Sequence, residues 1–330
     1  MQASFVRARR VLGQGLLLSP LVWGLGTPAW AGAWPTGPIR IVVNNPAGGA
    51  VDVVARLVAT PLAQVLHQPV IIENRGGANG NIGAEAVARA APDGYTLLAS
   101  AGGVFAVNTA LYPNMSFSVD RDLQPVAGIM RVSVFLTTNA SLPVSSVREF
   151  VEWGRTHPGK LSYGSAGTGS LPHLAGEMFN EAAGIRSLHV PYRGAAPALA
   201  DLLGGQVQYM FDPGIGLAQV RAGKLKRLAI ADLKRSPLFP ELPTLAESGL
   251  PGFEANSWYG IYAPAGVPAG IIDRLNKEIN SILERPEVKE GLATLGGQPL
   301  AVTPAELVQK ARSDSERFGA VIRARNIRID

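Results

Sequence analysis

The sequence predicts an α/β fold of two lobes, each a mostly parallel sheet flanked by helices. Short β-branched runs alternate with helical periodicity from residue 39 onward, and the same alternation restarts near residue 134. Of the 330 residues, 47% are hydrophobic and 17% are charged, which is a globular composition. A chain of this length exceeds one small domain, so two lobes are the first expectation.

The first lobe is predicted from a strand–helix–strand–helix–strand order, which places parallel strands under a layer of helices. Its elements are strands at 39–43, 70–72 and 96–98 and helices that start near Val51 and Asn81. Pro61 lies within the first of these helices and is expected to kink or split it.

The second lobe follows the same order. Its predicted elements are strands at 134–138, 161–163, 187–190 and 207–211 and helices at 146–156, 171–183 and 196–203. The chain then ends in three predicted helices, at 271–283, 286–294 and 304–323. Periodicity alone does not say which lobe these last helices cover.

Composition excludes several classes of function. The chain has no cysteine, which rules out disulfides, thiolate metal ligands and thiol catalysis. Three of its 30 basic residues and none of its 25 acidic residues lie within 1–31, so the net charge of +5 falls to +2 beyond that segment. A nucleic-acid partner is therefore not expected.

The first 31 residues have the three parts of an export signal. Arg7, Arg9 and Arg10 precede an apolar stretch over 11–25, and Ala29-Trp30-Ala31 has the small-x-small form that signal peptidase cuts. A membrane anchor is the alternative, but the stretch is shorter than the roughly 20 apolar residues needed to cross a bilayer. We expect cleavage and a periplasmic location, by a Sec or twin-arginine route that the sequence leaves open.

Two glycine-rich loops follow predicted strands and open helices, at 46–52 and 164–170. Backbone N–H groups at a helix start lack intrahelical acceptors, and the helix dipole adds partial positive charge, so each loop is a candidate anion site. An ordinary turn that needs glycine is the alternative for either loop alone. Neither loop has a complete phosphate-binding motif, so a carboxylate is the favoured anion.

Signs of enzymatic chemistry are weak. The four histidines have no metal-ligand spacing, and no serine lies in a G-x-S-x-G elbow. A triad of Ser165, His173 and Asp212 would require loops to converge in a geometry that a sequence does not reveal. Asp212 follows a strand, where it either caps the next helix or accepts a hydrogen bond from a ligand. Trp258 and Tyr259 are core residues or pocket walls.

The chain resembles the Bug (Bordetella uptake gene) family, the substrate-binding proteins of tripartite tricarboxylate transporters. The resemblance covers essentially all of the chain beyond residue 31, and the order and spacing of its short motifs make it specific. Those motifs lie at 35–56, 70–83, 92–97, 163–177, 191–205, 210–212 and 258–266.

The resemblance implies a type II-like periplasmic binding protein that closes on its ligand like a flytrap. Residues 32–131 with 256–330 would form the first domain and 132–255 the second. Both glycine loops would hold a carboxylate, partly through water, while Ser100 to Val107, on the loop after the third strand, and Asp212 would face the cleft. The candidate ligand-binding residues are Ala47, Gly48, Gly49, Asp52, Ser100, Ser165, Gly167, Thr168, His173 and Asp212.

The implied function is capture of a small organic acid, dicarboxylic, aromatic or amino-acid-like, by a monomer without a cofactor that serves the membrane subunits of such a transporter. Two segments, 44–47 and 101–105, depart from the residues common in the family and change the expected pocket wall. Two alternatives stay open at this point: an exported serine hydrolase, and a ligand-sensing module for a membrane kinase.

Overall fold

The computed structural model describes residues 34–112 and 114–329, so the predicted export signal at 1–31 lies outside the described residues. The strands are β1 Ile39–Val43, β2 Val70–Asn74, β3 Thr96–Ala101, β4 Leu123–Ser133, β5 Phe135–Asn139, β6 Ser162–Ser165, β7 Leu188–Pro191, β8 Tyr209–Asp212, β9 Leu225–Ile230, β10 Asn256–Pro264 and β11 Gln298–Pro299.

The helices cover both sheets. They are α1 Ala50–Leu66, α2 Asn81–Ala88, α3 Gly103–Ala106, α4 Asn108–Leu111, α5 Val119–Asp122, α6 Val147–Thr156, α7 Leu171–Ala183, α8 Ala195–Leu203, α9 Leu217–Arg221, α10 Ala269–Leu283, α11 Pro286–Thr294 and α12 Pro304–Ala324. This arrangement of two sheets flanked by helices confirms the predicted α/β class.

The strands form a six-stranded sheet in the order β11-β4-β10-β3-β1-β2 and a five-stranded sheet in the order β7-β6-β8-β5-β9. In the first sheet β1 pairs in parallel with β2 and β3, whereas β10 is antiparallel to both β3 and β4. In the second, β6 is parallel to β7 and β8, whereas β5 is antiparallel to β8 and β9. The expectation of mostly parallel sheets was therefore wrong, because each sheet is mixed.

The path of the chain explains the antiparallel pairs. The chain leaves the first sheet at the end of β4, builds the whole second sheet, and returns as β10, which lies between β4 and β3. The returning strand runs opposite to both neighbours. Helices α10 and α12 then pack on β4. We propose domain boundaries near residues 131 and 256, where the chain crosses between the sheets.

Helix α1 continues through Pro61 as one element, so the expected split did not occur. Its inner face carries Val54, Val58 and Leu62, none of which has any solvent exposure. Burial of three branched side chains contributes roughly 1.5–3 kcal/mol each. That contribution is large enough to hold the helix together across a residue that cannot donate a backbone hydrogen bond.

The C-terminal helix joins the two sheets' helical layers. Helix α12 packs against α7, which covers the second sheet, and Leu174 of α7 belongs to the same apolar cluster as Phe318 and Ile322 of α12. Arg325, just beyond α12, forms ion pairs with Glu181 at 3.4 Å and Glu177 at 3.9 Å. Across the described parts of the chain, no helix combines the length and apolar character needed to cross a bilayer.

Candidate functional site

The first glycine loop joins β1 to α1 and is organised around Asp52. The carboxylate of Asp52 accepts hydrogen bonds from the Gly48 N–H at 2.9 Å, Arg56 Nε at 3.0 Å and Asn74 Nδ2 at 2.9 Å. Burial alone would raise the pKa of Asp52, but these donors outweigh it and lower the pKa below its usual value. Asp52 is thus a charged residue that fixes the loop, while Ala47 and Gly48 remain exposed.

The backbone N–H groups of this loop that are free to bind an anion are not those of the two glycines. Gly48, at φ +76°, already donates to Asp52, and the Gly49 N–H donates to the Pro46 carbonyl at 3.2 Å. Within the described residues, the N–H groups of this loop left without an acceptor are that of Ala47 and, in the first turn of α1, those of Ala50, Val51 and Asp52. The helix start, rather than the glycines themselves, is the part of this loop equipped to hold an anion.

A buried amide network lies next to the loop and was missed by sequence reasoning. Asn44 Nδ2 donates to Ser100 Oγ at 2.9 Å and to the Gly80 carbonyl at 3.2 Å. Asn79 Nδ2 donates to Asn108 Oδ1 at 2.6 Å, which connects the turn between β2 and α2 to α4. Ser100 is fully buried and positions Asn44, so it does not itself face solvent. A polar residue directly after a buried strand was the available signal for Asn44.

The second glycine loop joins β6 to α7. Ser165 Oγ donates to the Gly167 carbonyl and accepts from the Gly167 N–H, both at 3.1 Å, and Ser170 Oγ donates to the same carbonyl at 2.7 Å. The N–H groups of Ala166 and Thr168 and the Thr168 hydroxyl have no partner among the residues described. Thr168 is therefore the predicted residue of this loop with free donors, while Ser165 and Gly167 shape the turn.

Two stacked histidines contact the second glycine loop. The rings of His173 and His189 lie 3.8 Å apart between centroids at an angle of 10°. His173 Nδ1 accepts from the Gly169 N–H at 3.0 Å, and His189 Nε2 lies 2.6 Å from Ser165 Oγ. Burial lowers the pKa of each histidine to about 4, and for His189 the charge of His173 adds to this effect. Both rings are thus neutral at pH 7. Of the two histidines, only His173 was predicted from the sequence as a site residue.

Acidification is expected to destabilise the protein through this pair. The folded-state pKa of about 4 lies below the unfolded value of 6.5, so the stabilisation is complete above pH 6.5 and is lost as the pH falls toward 4. The loss is on the order of 1.4 kcal/mol for each unit of pKa difference. Urea titrations between pH 7.5 and 4 measure it.

Variants isolate the histidine contribution from that of the carboxylates. His189→Gln should reduce the pH dependence between 6.5 and 4, with the His173 contribution remaining, whereas substitution of the exposed His157 by glutamine should leave it unchanged. Identical pH profiles for wild type and His189→Gln would contradict the assignment.

The second loop also contacts the segment that follows β3. A Cβ atom at Gly169 would overlap Leu111 Cδ1, so the loop packs directly on α4. The segment from Ser100 to Val107 was expected to be a loop, but it contains the end of β3 and the short helix α3, and α4 follows it. The structure thus brings Gly169, in the loop after β6, against the segment that follows β3. Ser100, at the end of β3, belongs to the hydrogen-bond network with Asn44.

Asp212 ends β8 and is fully buried. Its carboxylate accepts from the Gly214 N–H at 3.0 Å, from the Gly216 N–H at 3.1 Å and from Arg227 Nη2 at 3.2 Å. Burial raises the pKa of Asp212, and the positive charge of Arg227 opposes that rise. Gly216 is the N-cap of α9, and no side chain caps the first turn of that helix, so Asp212 fixes the turn before α9 instead of capping the helix itself.

The imagined serine triad is not assembled. Ser165 Oγ contacts His189 rather than His173, whose Nδ1 is occupied by Gly169, and Asp212 is bonded to Arg227. Within residues 34–112 and 114–329, no group of three His, Asp or Glu side chains could hold a metal ion. The donors left free in the two glycine loops are mainly backbone N–H groups, which suit an anion.

The model of the family described as tripartite tricarboxylate transporter family receptor (TctC) matches residues 54–327. Among curated proteins, Protein BugT of Bordetella pertussis is 37% identical over 303 residues, which cover 91% of this chain and 93% of BugT.

Solved structures are also similar to this chain over most of its length. Rpa4515 of R. palustris with adipate has a TM-score of 0.83 and 35% identity, covering 89% of this chain and 99% of the other. MatC of Rhodopseudomonas palustris with bound malate has a TM-score of 0.78 and 34% identity, covering 88% of this chain and 100% of the other. At this identity and coverage the likeness extends to the fold of nearly the whole chain.

Proposed function

The chain belongs to the tripartite tricarboxylate transporter receptor family, whose members are periplasmic solute-binding proteins rather than enzymes, and from this we propose that it captures a small dicarboxylate between its two sheets. The dicarboxylate class is favoured because Rpa4515 was solved with adipate and MatC with malate. The captured acid is released unchanged to the membrane subunits of a tripartite tricarboxylate transporter.

One observation carries this proposal: in each sheet a strand is followed by a glycine loop with backbone N–H groups that lack acceptors among the described residues. In the first sheet these include the N–H groups of Ala50, Val51 and Asp52 in the first turn of α1, and in the second they include those of Ala166 and Thr168 in the loop before α7. Hydrogen bonds from neutral donors to a carboxylate are stronger than those to a neutral acceptor. One carboxylate at each glycine loop would account for two-ended recognition of a dicarboxylate, with water filling the difference in length between acids.

The two sheets close around the acid when it binds. Gly169 of the second loop packs on Leu111 of α4, and Arg325 pairs with Glu177 and Glu181. These contacts join elements of the two sheets, so they form in a closed state and are broken when the sheets separate. A ligand that contacts both glycine loops gains its full set of hydrogen bonds only in that closed state, and it therefore shifts the population toward closure.

Calorimetry against a panel of acids tests the proposal. We expect adipate or malate to bind with a stoichiometry of one and to raise the melting temperature, because a ligand present at 100 times its Kd stabilises the native state by about 2.7 kcal/mol. Adipamide has the length of adipate without its charge and is the matched control. Absence of stoichiometric heat for every dicarboxylate in the panel would refute the proposed ligand class.

The remaining parts of the proposal concern the cellular setting. The chain is exported to the periplasm, cleaved after Ala31 and active as a monomer. N-terminal sequencing of periplasmic protein tests the cleavage, and a start at Gly32 is expected. Co-purification with membrane subunits rather than with a sensor kinase distinguishes delivery from signalling.

A further inference from the structure

A cavity at the β9 edge of the second sheet lies apart from the glycine loops. It has a volume of about 830 Å³ and is bounded by β9, α9, the start of α6 and the segment 238–248. None of the predicted ligand-binding residues lines it. Its volume falls within the range of roughly 300–1,000 Å³ that is typical of small-molecule pockets.

Apolar side chains form much of the wall. They are Leu217, Val220, Leu238, Phe239 and Leu242. Leu238 is 38% exposed. A ligand with an apolar body would remove this surface from water.

Two of the charged residues that line the cavity are neutralised by neighbours. Arg227 pairs with Asp212 at 3.2 Å, and Glu247 pairs with Arg235 at 2.9 Å. Each pair cancels its own charge, so neither contributes a net charge to the cavity.

The other charged residues leave one positive charge in excess. Arg148, Arg221 and Glu241 line the cavity, and none of them has a hydrogen bond or ion pair from its side chain in the described part of the chain. Two guanidinium groups against one carboxylate give a net charge of +1. This balance suits an anion that carries a single negative charge.

Two further groups add hydrogen-bond donors that have no acceptor. The Arg227 side chain is only 4% exposed, and its Nε and Nη1 atoms have no acceptor, while its guanidinium group lies 3.8 Å from the centroid of the Phe135 ring. Burial lowers the pKa of Arg227, and the charge of Arg221 lowers it further, so the two guanidinium groups repel each other. The backbone N–H of Arg148, in the first turn of α6, also lacks an acceptor among the residues described.

We propose that this cavity is a second binding site, for a monocarboxylate with an apolar body such as an aryl or branched aliphatic acid. The carboxylate is held by Arg221 and Arg148 at the start of α6, and the body packs on Val220 and Phe239. Glu241 repels a second negative charge, which separates this ligand class from the dicarboxylates. The site is independent of the proposed function of the glycine loops.

Calorimetry with benzoate tests the site, with benzamide as the neutral molecule of the same shape. We expect benzoate to bind the full chain, and we expect benzamide and the Arg221→Gln variant each to weaken that binding by about tenfold or more, because each removes a charge-assisted hydrogen bond. Val220→Trp should abolish binding by filling the cavity. Arg186→Gln removes an exposed charge outside the cavity and should change nothing.

The outcomes separate the two sites. Benzoate binding that persists in the presence of saturating adipate supports the second site, and failure of adipate to bind would count against the proposed function alone. Equal benzoate affinity in wild type and Arg221→Gln would overturn the second site, because benzoate would then be bound elsewhere, for example between the sheets. No heat from benzoate at millimolar concentration would also overturn it.

Discussion

Replacement of Arg227 by methionine is expected to lower the free energy of unfolding by about 3–5 kcal/mol. Asp212 and Arg227 form a buried ion pair, with side-chain exposures of 0% and 4%. Removal of the guanidinium group leaves the carboxylate buried with only the N–H groups of Gly214 and Gly216 as donors. A carboxylate without its counter-charge in this environment either pays a large desolvation cost or takes up a proton. Urea denaturation at pH 7 measures the loss.

The double variant Asp212→Asn with Arg227→Met distinguishes the orphaned charge from lost packing. It should recover a substantial part of the lost stability, because asparagine keeps an acceptor oxygen for Gly214 and Gly216 without a charge to bury. The exposed Arg186 provides the matched single change to methionine, which should cost less than about 0.5 kcal/mol. A loss below 1 kcal/mol for Arg227→Met would mean that Asp212 is already neutral in the native protein.

The fold class followed from local patterns, whereas strand direction did not. The alternation of strands and helices over β1 to β3 matches the predicted order, since each element carries its own periodicity. Strand β10 was not predicted, because all of its nine residues are buried and it has no alternating pattern. Its antiparallel return between β3 and β4 depends on contacts more than 100 residues apart in sequence, which no local pattern encodes.

The candidate site shows the same division between local and distant information. Both glycine loops were located, because a strand, a glycine run and a helix start are adjacent in sequence. Which N–H groups stay free was not predictable, because it depends on side chains such as Asp52 that turn back onto the loop. His189 was missed for a related reason: it lies on β7, and its partners Ser165 and His173 reach it only in the folded sheet.

Substitution of Ala50 by proline is expected to weaken dicarboxylate binding by about 10- to 100-fold. Ala50 is the first residue of α1, where its N–H has no acceptor among the described residues. Proline is well tolerated at the first helical position, and Gly49 already has ψ 164°, close to the extended conformation that a residue before proline adopts. The change therefore deletes one backbone donor with little expected effect on the fold. A hydrogen bond to a charged group contributes about 1.5–3 kcal/mol, which converts to the stated loss of affinity.

The control is the same substitution at the start of another helix. Ala269 is the first residue of α10 and follows Pro268, whose ψ of 136° is likewise compatible with a following proline. Ala269→Pro should leave adipate affinity unchanged, and both variants should keep the urea midpoint of the wild type within error. Retained affinity in a folded Ala50→Pro protein would show that the first turn of α1 does not contact the acid. Lost affinity in both variants would instead indicate a general effect of rigidifying helix starts. Because the two changes alter the backbone in the same way, a difference in adipate affinity between them reports the donor at residue 50 itself.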